Sequence, residues 1–143
     1  MYWLNLAKLR QLTDAIMEIV YRIIQEDLID NLQSGKVVVL LGARGIGKTV
    51  LLQQIIKQTE EPYLLLNGED MTVTEVLSRR SVAHYRNLLG DYRLLIIDEA
   101  QKIPEIGKVL KLMVDNITDL KILITGSFAF DMANLTGEPL SIV

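Results

Sequence analysis

The sequence predicts an α/β protein in which a mainly parallel sheet lies between two layers of helices. Four apolar runs start near residues 36, 63, 93 and 121, and more polar segments of helical length separate them. Because these runs are continuously apolar rather than alternating, we expect each strand to be buried on both faces, as in a parallel sheet covered by helices. A long segment without glycine or proline precedes the first run and predicts an N-terminal helix.

Length and composition limit the organisation and the class of partner. The 143 residues fit a single domain, and their half-hydrophobic composition means that much of the chain is buried. Because Ser34-Gly35 is expected to end the first helix, we expect an N-terminal helical segment at 1–34 that packs on a core at 35–143. The net charge of −3 gives no general attraction to nucleic acid or to an anionic membrane. The absence of cysteine excludes disulfides and zinc–thiolate sites. No apolar run approaches the roughly 18 residues of a membrane helix, and the N-terminus lacks the basic start of a secretion signal, so we expect a cytoplasmic protein.

The predicted N-terminal helix covers about residues 5–33 and carries one apolar stripe. Its members are spaced three and four residues apart, and they are Leu9, Leu12, Ile16, Ile19 and Ile23. Glu26 breaks the heptad after this stripe. We favour packing of the stripe on the chain's own domain over a coiled-coil seam with a partner, because a seam needs at least about 3–4 heptads.

The remaining elements alternate along the chain. Glycine or proline marks several of the boundaries, as at Gly35, Pro62 and Pro104. We expect strands at about 36–41, 63–67, 93–98, 121–125 and 139–143, and helices at about 48–59, 72–79, 81–89, 104–116 and 128–135.

A glycine-rich motif joins the first strand to its helix. Residues 42–49 fit the phosphate-binding pattern G-x-x-x-x-G-K-[ST]. Its glycines free backbone N–H groups to face an anion at a helix N-terminus, Lys48 supplies charge for the β- and γ-phosphates, and Thr49 suits Mg²⁺. The alternative, a glycine-rich turn that binds nothing, is disfavoured by the Lys48-Thr49 pair. The predicted nucleotide-binding residues are Gly42, Ala43, Arg44, Gly45, Ile46, Gly47, Lys48, Thr49 and Val50.

An acidic pair follows the third strand. Asp98 and Glu99 come directly after four apolar residues, as in a Walker B strand. We predict that Asp98 and Thr49 hold Mg²⁺, and that Glu99 orients or deprotonates the water that attacks the γ-phosphate. A solvated pair at a strand end is the alternative, which the upstream phosphate-binding motif disfavours.

The fourth strand ends in polar residues that could sense the γ-phosphate. Either Thr125 or Ser127 fits this role, and Ser127 could equally cap a following helix. The predicted catalytic set is therefore Lys48, Glu99 and Ser127. His84 lies in a predicted helix beside other polar residues, and a surface role is favoured for it.

The motifs together resemble the prokaryotic AAA+ ATPases that carry a C-terminal domain of unknown function. The resemblance rests on residues 41–49, on the Asp-Glu-Ala-Gln-Lys-Ile-Pro run at 98–104 and on Leu-Ile-Thr-Gly-Ser at 123–127. It implies a three-layer αβα P-loop NTPase with sheet order 5-1-4-3-2, and it implies ATP and Mg²⁺ as ligands. Two departures are Glu138, where such proteins commonly have arginine, and the end of the sequence at Val143, which predicts a truncated fifth strand and a missing C-terminal domain.

Three functions compete at this point. The first is Mg²⁺-dependent ATP binding with slow hydrolysis, and the second is a nucleotide-binding regulatory or scaffold module that does not hydrolyse ATP. The third is a helicase-related fragment, which the Thr-Gly-Ser strand end and the acidic charge disfavour. A GTPase is disfavoured because no Asn-Lys-x-Asp motif occurs. The expected partners are ATP and either further copies of the chain or the missing C-terminal domain, with nucleic acid not indicated.

Overall fold

The computed structural model describes residues 6–42, 48–127 and 140–142. Within these ranges, helices and strands alternate after a long first helix. The helices are α1 (Leu6–Asn31), α2 (Lys48–Gln58), α3 (Met71–Ser78), α4 (Val82–Leu89) and α5 (Ile106–Asn116), with a 3₁₀ turn at Ala100–Lys102. The strands are β1 (Val37–Leu41), β2 (Tyr63–Asn67), β3 (Leu94–Asp98), β4 (Lys121–Gly126) and β5 (Leu140–Ile142).

The five strands form one sheet in the order β2-β3-β4-β1-β5. Every neighbouring pair in it is parallel. The order implied by the resemblance is therefore confirmed. β5 supplies three residues that pair with residues 37–39 of β1. The sheet brings β1, β3 and β4 together at its centre, so the segments that follow these strands meet at one edge.

Two apolar cores cover the two faces of the sheet and confirm the three-layer architecture. On one face, alternate residues of β1, β3 and β4 pack against α2 and the C-terminal part of α1. On the other face, the intervening residues of the same strands pack against α3, α4 and α5. This burial of both faces is what the continuously apolar strands predict.

Tyr85 of α4 belongs to the second core and is fully buried. Its hydroxyl donates a hydrogen bond of 2.7 Å to the backbone oxygen of Leu77 at the end of α3. Burial raises the pKa of the Tyr85 hydroxyl above its usual value. This bond satisfies a polar group inside the helical layer and fixes α4 against α3.

Only the C-terminal half of α1 packs on the described part of the domain. Leu28 is buried there, and Tyr21, Ile24 and Leu32 pack against the same core. Residues 7–20 are exposed. The prediction that the apolar stripe of this helix packs on the domain is therefore wrong, because the helix uses a different face for that contact.

The helix expected to start at Pro104 begins two residues later, at Ile106. Glu105 lies in the left-handed region at φ 51° directly before the helix. Its carboxylate forms ion pairs with Arg80 and Lys108. The short helix expected at 128–135 lies outside the described residues.

Candidate nucleotide site

The ends of β3 and β4 place Asp98 and Thr125 side by side. Ile97 of β3 pairs with Ile124 of β4, so the next residue of each strand is also adjacent. Side chains alternate between the faces of a sheet, and Ile96 and Leu123 lie in the core beneath α2. Asp98 and Thr125 therefore face the same side as α2, the helix that starts at Lys48.

The Thr125 hydroxyl links this pair through two hydrogen bonds. Its Oγ1 donates to Asp98 Oδ1 and accepts from the backbone N–H of Glu99 at 3.0 Å. The same N–H also lies 3.1 Å from Asp98 Oδ1. Thr125 is fully buried. Its hydroxyl therefore fixes the Asp98 carboxylate and the backbone N–H of Glu99 from the interior of the protein.

Glu99 is held in an uncommon backbone conformation. Its φ of 53° and ψ of 43° lie in the left-handed region, which non-glycine residues rarely adopt. Residues held in this region cost of order 1–3 kcal/mol and cluster at functional sites. The turn ends β3 immediately and lets the chain continue into the 3₁₀ turn at Ala100–Lys102.

Gly68, the residue directly after the neighbouring strand β2, contacts this turn. The N–H of Gly68 donates to the backbone oxygen of Asp98 at 2.7 Å. A Cβ atom added at Gly68 would lie 2.2 Å from the backbone oxygen of Glu99. Glycine is therefore required here, because any side chain would overlap the backbone of the acidic pair.

Gln101 contacts the Glu99 carboxylate directly. Its Nε2 donates to Glu99 Oε2 at 2.5 Å. Its Oε1 is buried and, within the described part of the chain, has no hydrogen-bond partner. The side chain of Gln101 thus fixes one oxygen of Glu99 and carries an acceptor that faces protein interior rather than solvent.

Lys48 is buried at the first position of α2. Its Nζ donates to the backbone oxygen of Gly42 at 2.6 Å, across the two ends of the glycine-rich segment. Thr49 and Val50 follow on α2 and are exposed. The other predicted nucleotide-binding residues, Ala43, Arg44, Gly45, Ile46 and Gly47, lie outside the described residues.

Two further candidates, Ser127 and His84, lie in different parts of the structure. Ser127 is half-buried directly after β4, beside the end of β1, since Gly42 N–H donates to the oxygen of Gly126 at 3.2 Å. His84 is exposed on α4, with its Nε2 3.4 Å from Arg79 Nη1, as expected for a surface residue. Glu138 lies outside the described residues.

The contact between Gly68 and the acidic pair was not predicted from the sequence. The choice between Thr125 and Ser127 as the residue that senses the γ-phosphate also stayed open. Glycine after a strand is usually a simple turn signal, and nothing local reports that another strand's backbone approaches it. A threonine within an apolar strand was the available signal for a buried hydrogen bond.

Comparison with known proteins identifies the family. Residues 34–141 match a family model described as AAA domain. The chain belongs to the AAA domain family. It is therefore a nucleotide-binding P-loop ATPase domain of the AAA+ type, as the motifs at 42–49 and 98–99 indicate.

Two relatives are uncharacterised proteins of Mycobacterium tuberculosis and Mycobacterium bovis. Each is 33% identical to this AAA domain over 111 residues, which is 77% of the chain. The same alignment covers 24% of each relative. The chain therefore spans about a quarter of the length of these relatives.

Solved structures of replication initiators share the fold. A DNA replication initiation factor aligns with a TM-score of 0.53 and 18% identity, covering 91% of this chain and 46% of the other. The replication initiator DnaA, bound to AMPPCP and single-stranded DNA, aligns with a TM-score of 0.55 and 17% identity, covering 84% and 44%. At this identity the likeness concerns the fold of the AAA domain.

Among the described helices, none is long and apolar enough to cross a membrane.

Proposed function

We propose that this AAA domain binds ATP with Mg²⁺ and hydrolyses it slowly. The observation that carries the proposal is the arrangement at the ends of β3 and β4, where Thr125 fixes Asp98 and the backbone of Glu99 on the side of the sheet that faces α2. If the acidic pair were only a solvated strand end, neither the buried hydroxyl that binds Asp98 nor the glycine that contacts the backbone of Glu99 would be required. We infer that the site is in the cytoplasm, where ATP is available.

The phosphates of ATP bind at residues 42–50 in this proposal. The N–H groups of the glycine-rich segment and of the first turn of α2 surround the β- and γ-phosphates. In the structure, Lys48 Nζ donates to the backbone oxygen of Gly42 at 2.6 Å. When ATP binds, Nζ donates to a phosphate oxygen instead. Because the Lys48 ammonium is already buried at the correct end of α2, little side-chain freedom is lost on binding.

Thr49 and Asp98 suit Mg²⁺ by their chemistry. Mg²⁺ prefers oxygen ligands and usually takes one or two protein groups together with phosphate oxygens and water. Asp98 offers a carboxylate that the Thr125 hydroxyl orients, and Thr49 offers a hydroxyl at the start of α2. When bound, the ion neutralises the charge that develops on the phosphates.

Glu99 acts as the base in the proposed reaction. Its carboxylate accepts a proton from a water molecule as the water oxygen forms a bond to the γ-phosphorus. The bond between that phosphorus and the bridging oxygen of ADP breaks, and the products are ADP and inorganic phosphate. Gln101 holds Oε2 of Glu99 at 2.5 Å and so leaves Oε1 for the water. Ser127, after β4, is proposed to contact the γ-phosphate.

Turnover is proposed to be slow in this chain alone. An arginine supplied to the γ-phosphate is worth about 10³–10⁵ in rate in related chemistry. Glu138 stands where the resembling ATPases commonly carry an arginine. The curated relatives are about four times longer than the aligned region, and we propose that a further domain or a further copy of the chain supplies the missing activation.

Single-stranded DNA is a further candidate ligand because a structural neighbour, DnaA, is bound to it. The net charge of −3 argues against it for this chain. We therefore expect the ATPase rate to be the same with and without single-stranded DNA. A clear stimulation would support the helicase-related or initiator-like alternative.

Replacement of Lys48 tests nucleotide binding. In calorimetric titration with ATP and Mg²⁺, Lys48→Met should weaken binding by at least about tenfold, since it removes a charged hydrogen bond to phosphate. Lys57→Met is the matched control, because Lys57 is an exposed lysine in the last turn of the same helix. Equal ATP affinity in the wild type and in Lys48→Met would contradict the assigned site.

A further inference from the structure

The apolar stripe of α1 is exposed along two heptads. The exposed fractions of its five side chains are 38% at Leu9, 55% at Leu12, 59% at Ile16, 57% at Ile19 and 60% at Ile23. Single exposed apolar residues are common on protein surfaces, but a contiguous row marks an interaction site.

The stripe lies opposite the side of α1 that contacts the domain. The contacting residues are Tyr21, Ile24, Leu28 and Leu32. With 3.6 residues per turn, the mean direction of the stripe is roughly 150° away from the mean direction of these residues. The described part of the domain, which contacts the C-terminal half of α1, therefore does not cover the stripe.

Charge along α1 changes sign from one end to the other. Lys8 and Arg10 are the charged residues of its first two turns, and Glu26, Asp27 and Asp30 are those of its last two. Between them, Arg22 and Glu18 form an exposed ion pair of 3.8 Å. A helix with one basic and one acidic end is complementary to a second copy of itself in the opposite direction.

We propose that the exposed stripe of α1 pairs with the same stripe of a second copy of this chain, with the two helices antiparallel. In the proposed register, Ile16 faces Ile19 of the second copy and Leu12 faces Ile23. The same register brings Lys8 close to Glu26 of the second copy, and both side chains lie on the same edge of the stripe. A parallel pair would instead place the acidic ends together and the basic ends together, which is unfavourable.

This register also accounts for the break in the heptad. Glu26 lies opposite Leu9 at the edge of the pair, where a charged side chain stays in contact with water. The apolar contact is two heptads long, so the dimer is weaker than a long coiled coil. The proposed dimer contact does not involve the nucleotide site, since none of the stripe residues belongs to the group around Asp98.

Sedimentation equilibrium across about 1 µM to 1 mM, which spans strong to weak association, tests the pairing. We expect a reversible dimer of the wild type and at least about a hundredfold weaker association of Ile16→Glu, because two buried isoleucines are lost per dimer. Gln11→Glu is the matched control, since it adds the same charge at an exposed position outside the stripe. A wild type that is monomeric throughout, or an Ile16→Glu variant that dimerises equally, overturns the proposal.

Cross-linking decides the direction of the helices. The sequence contains no cysteine, so each variant carries a single thiol and any disulfide must join two introduced cysteines. A mixture of Leu12→Cys and Ile23→Cys copies should form a disulfide-linked dimer, whereas neither variant should do so alone. In the antiparallel register two copies of residue 12 are roughly 16 Å apart along the helix axis, beyond the ~7 Å reach of a disulfide. Efficient cross-linking of each variant alone would show a parallel pair and overturn the proposal.

ATP binding by Ile16→Glu separates this inference from the proposed function. We expect the affinity of this variant for ATP to equal that of the wild type. Loss of ATP binding together with dimerisation would show that the stripe supports the fold of the domain, and this result would also overturn the proposed pairing.

Discussion

Replacing Thr125 with valine tests the hydrogen bonds that link β4 to the acidic pair. Thr125 is fully buried, and its hydroxyl donates to Asp98 and accepts from the N–H of Glu99. Valine has nearly the same shape but no hydroxyl. The N–H of Glu99 keeps Asp98 Oδ1 as an acceptor at 3.1 Å, so the main loss is the bond to the carboxylate. A hydrogen bond to a charged group contributes about 1.5–3 kcal/mol.

We therefore expect Thr125→Val to lower the free energy of unfolding by about 2 kcal/mol. In urea, with a slope of about 2 kcal/mol per M, the unfolding midpoint should fall by about 1 M. Far-ultraviolet circular dichroism of wild type and variant measures this shift. The ATPase rate should also fall, because Asp98 and the Glu99 backbone lose the group that positions them.

Thr125→Ser is the control, since it keeps the hydroxyl and removes one methyl group. Its expected cost is about 1 kcal/mol. A valine variant as stable as the wild type would show that these hydrogen bonds do not stabilise the fold. A serine variant less stable than the valine variant would show that packing of the methyl group outweighs the hydrogen bonds, which also contradicts the prediction.

Two further predictions concern residues around the site and in the core. Gly68→Ala should cost about 1–3 kcal/mol of stability, as overpacking does, because its Cβ would lie 2.2 Å from the oxygen of Glu99; Gly68→Ala with wild-type stability and ATPase rate would contradict this contact. Tyr85→Phe should lose about 1–3 kcal/mol below pH 10 because the buried oxygen of Leu77 loses its donor. Burial raises the pKa of Tyr85 in the folded chain, so its stabilisation is present below the unfolded pKa of about 10 and is lost as pH rises above it. The difference in stability between wild type and Tyr85→Phe, measured by urea unfolding from pH 8 to pH 11, should shrink above pH 10, and a constant difference would refute the assigned cause.

The strands were predictable from the sequence because each is a continuous apolar run. Residues 63–67 and 121–126 stand out between polar segments, and the structure places strands there. Their order in the sheet did not come from such local patterns. It came from the resemblance carried by the motifs, since the pairing of β1 with β4 joins residues far apart in the chain.

The site was predictable where the chemistry is local. Residue type and position in the sequence are enough to recognise the Asp98-Glu99 pair and Lys48 as site residues. The hydrogen bond from Thr125 to Asp98 and the close approach of Gly68 to Glu99 depend on the register between neighbouring strands. A single sequence carries no local signal for that register.

The first helix shows a different limit. Its 3-4-3-4 spacing correctly predicts a helix with one apolar stripe, and the described helix covers Leu6–Asn31. The spacing does not say which surface covers the stripe. A second set of apolar residues around Leu28 contacts the domain instead.

The most direct test of the proposed ATPase activity is phosphate release under saturating Mg-ATP by wild type and by Glu99→Gln. We expect slow but repeated turnover by the wild type. For Glu99→Gln we expect a rate at least about a hundredfold lower, since a positioned base contributes about 10²–10⁴, and an unchanged ATP affinity. Equal phosphate release by the two proteins would contradict the role of Glu99, and ATP binding without any release by the wild type would show a nucleotide-binding module that does not hydrolyse ATP.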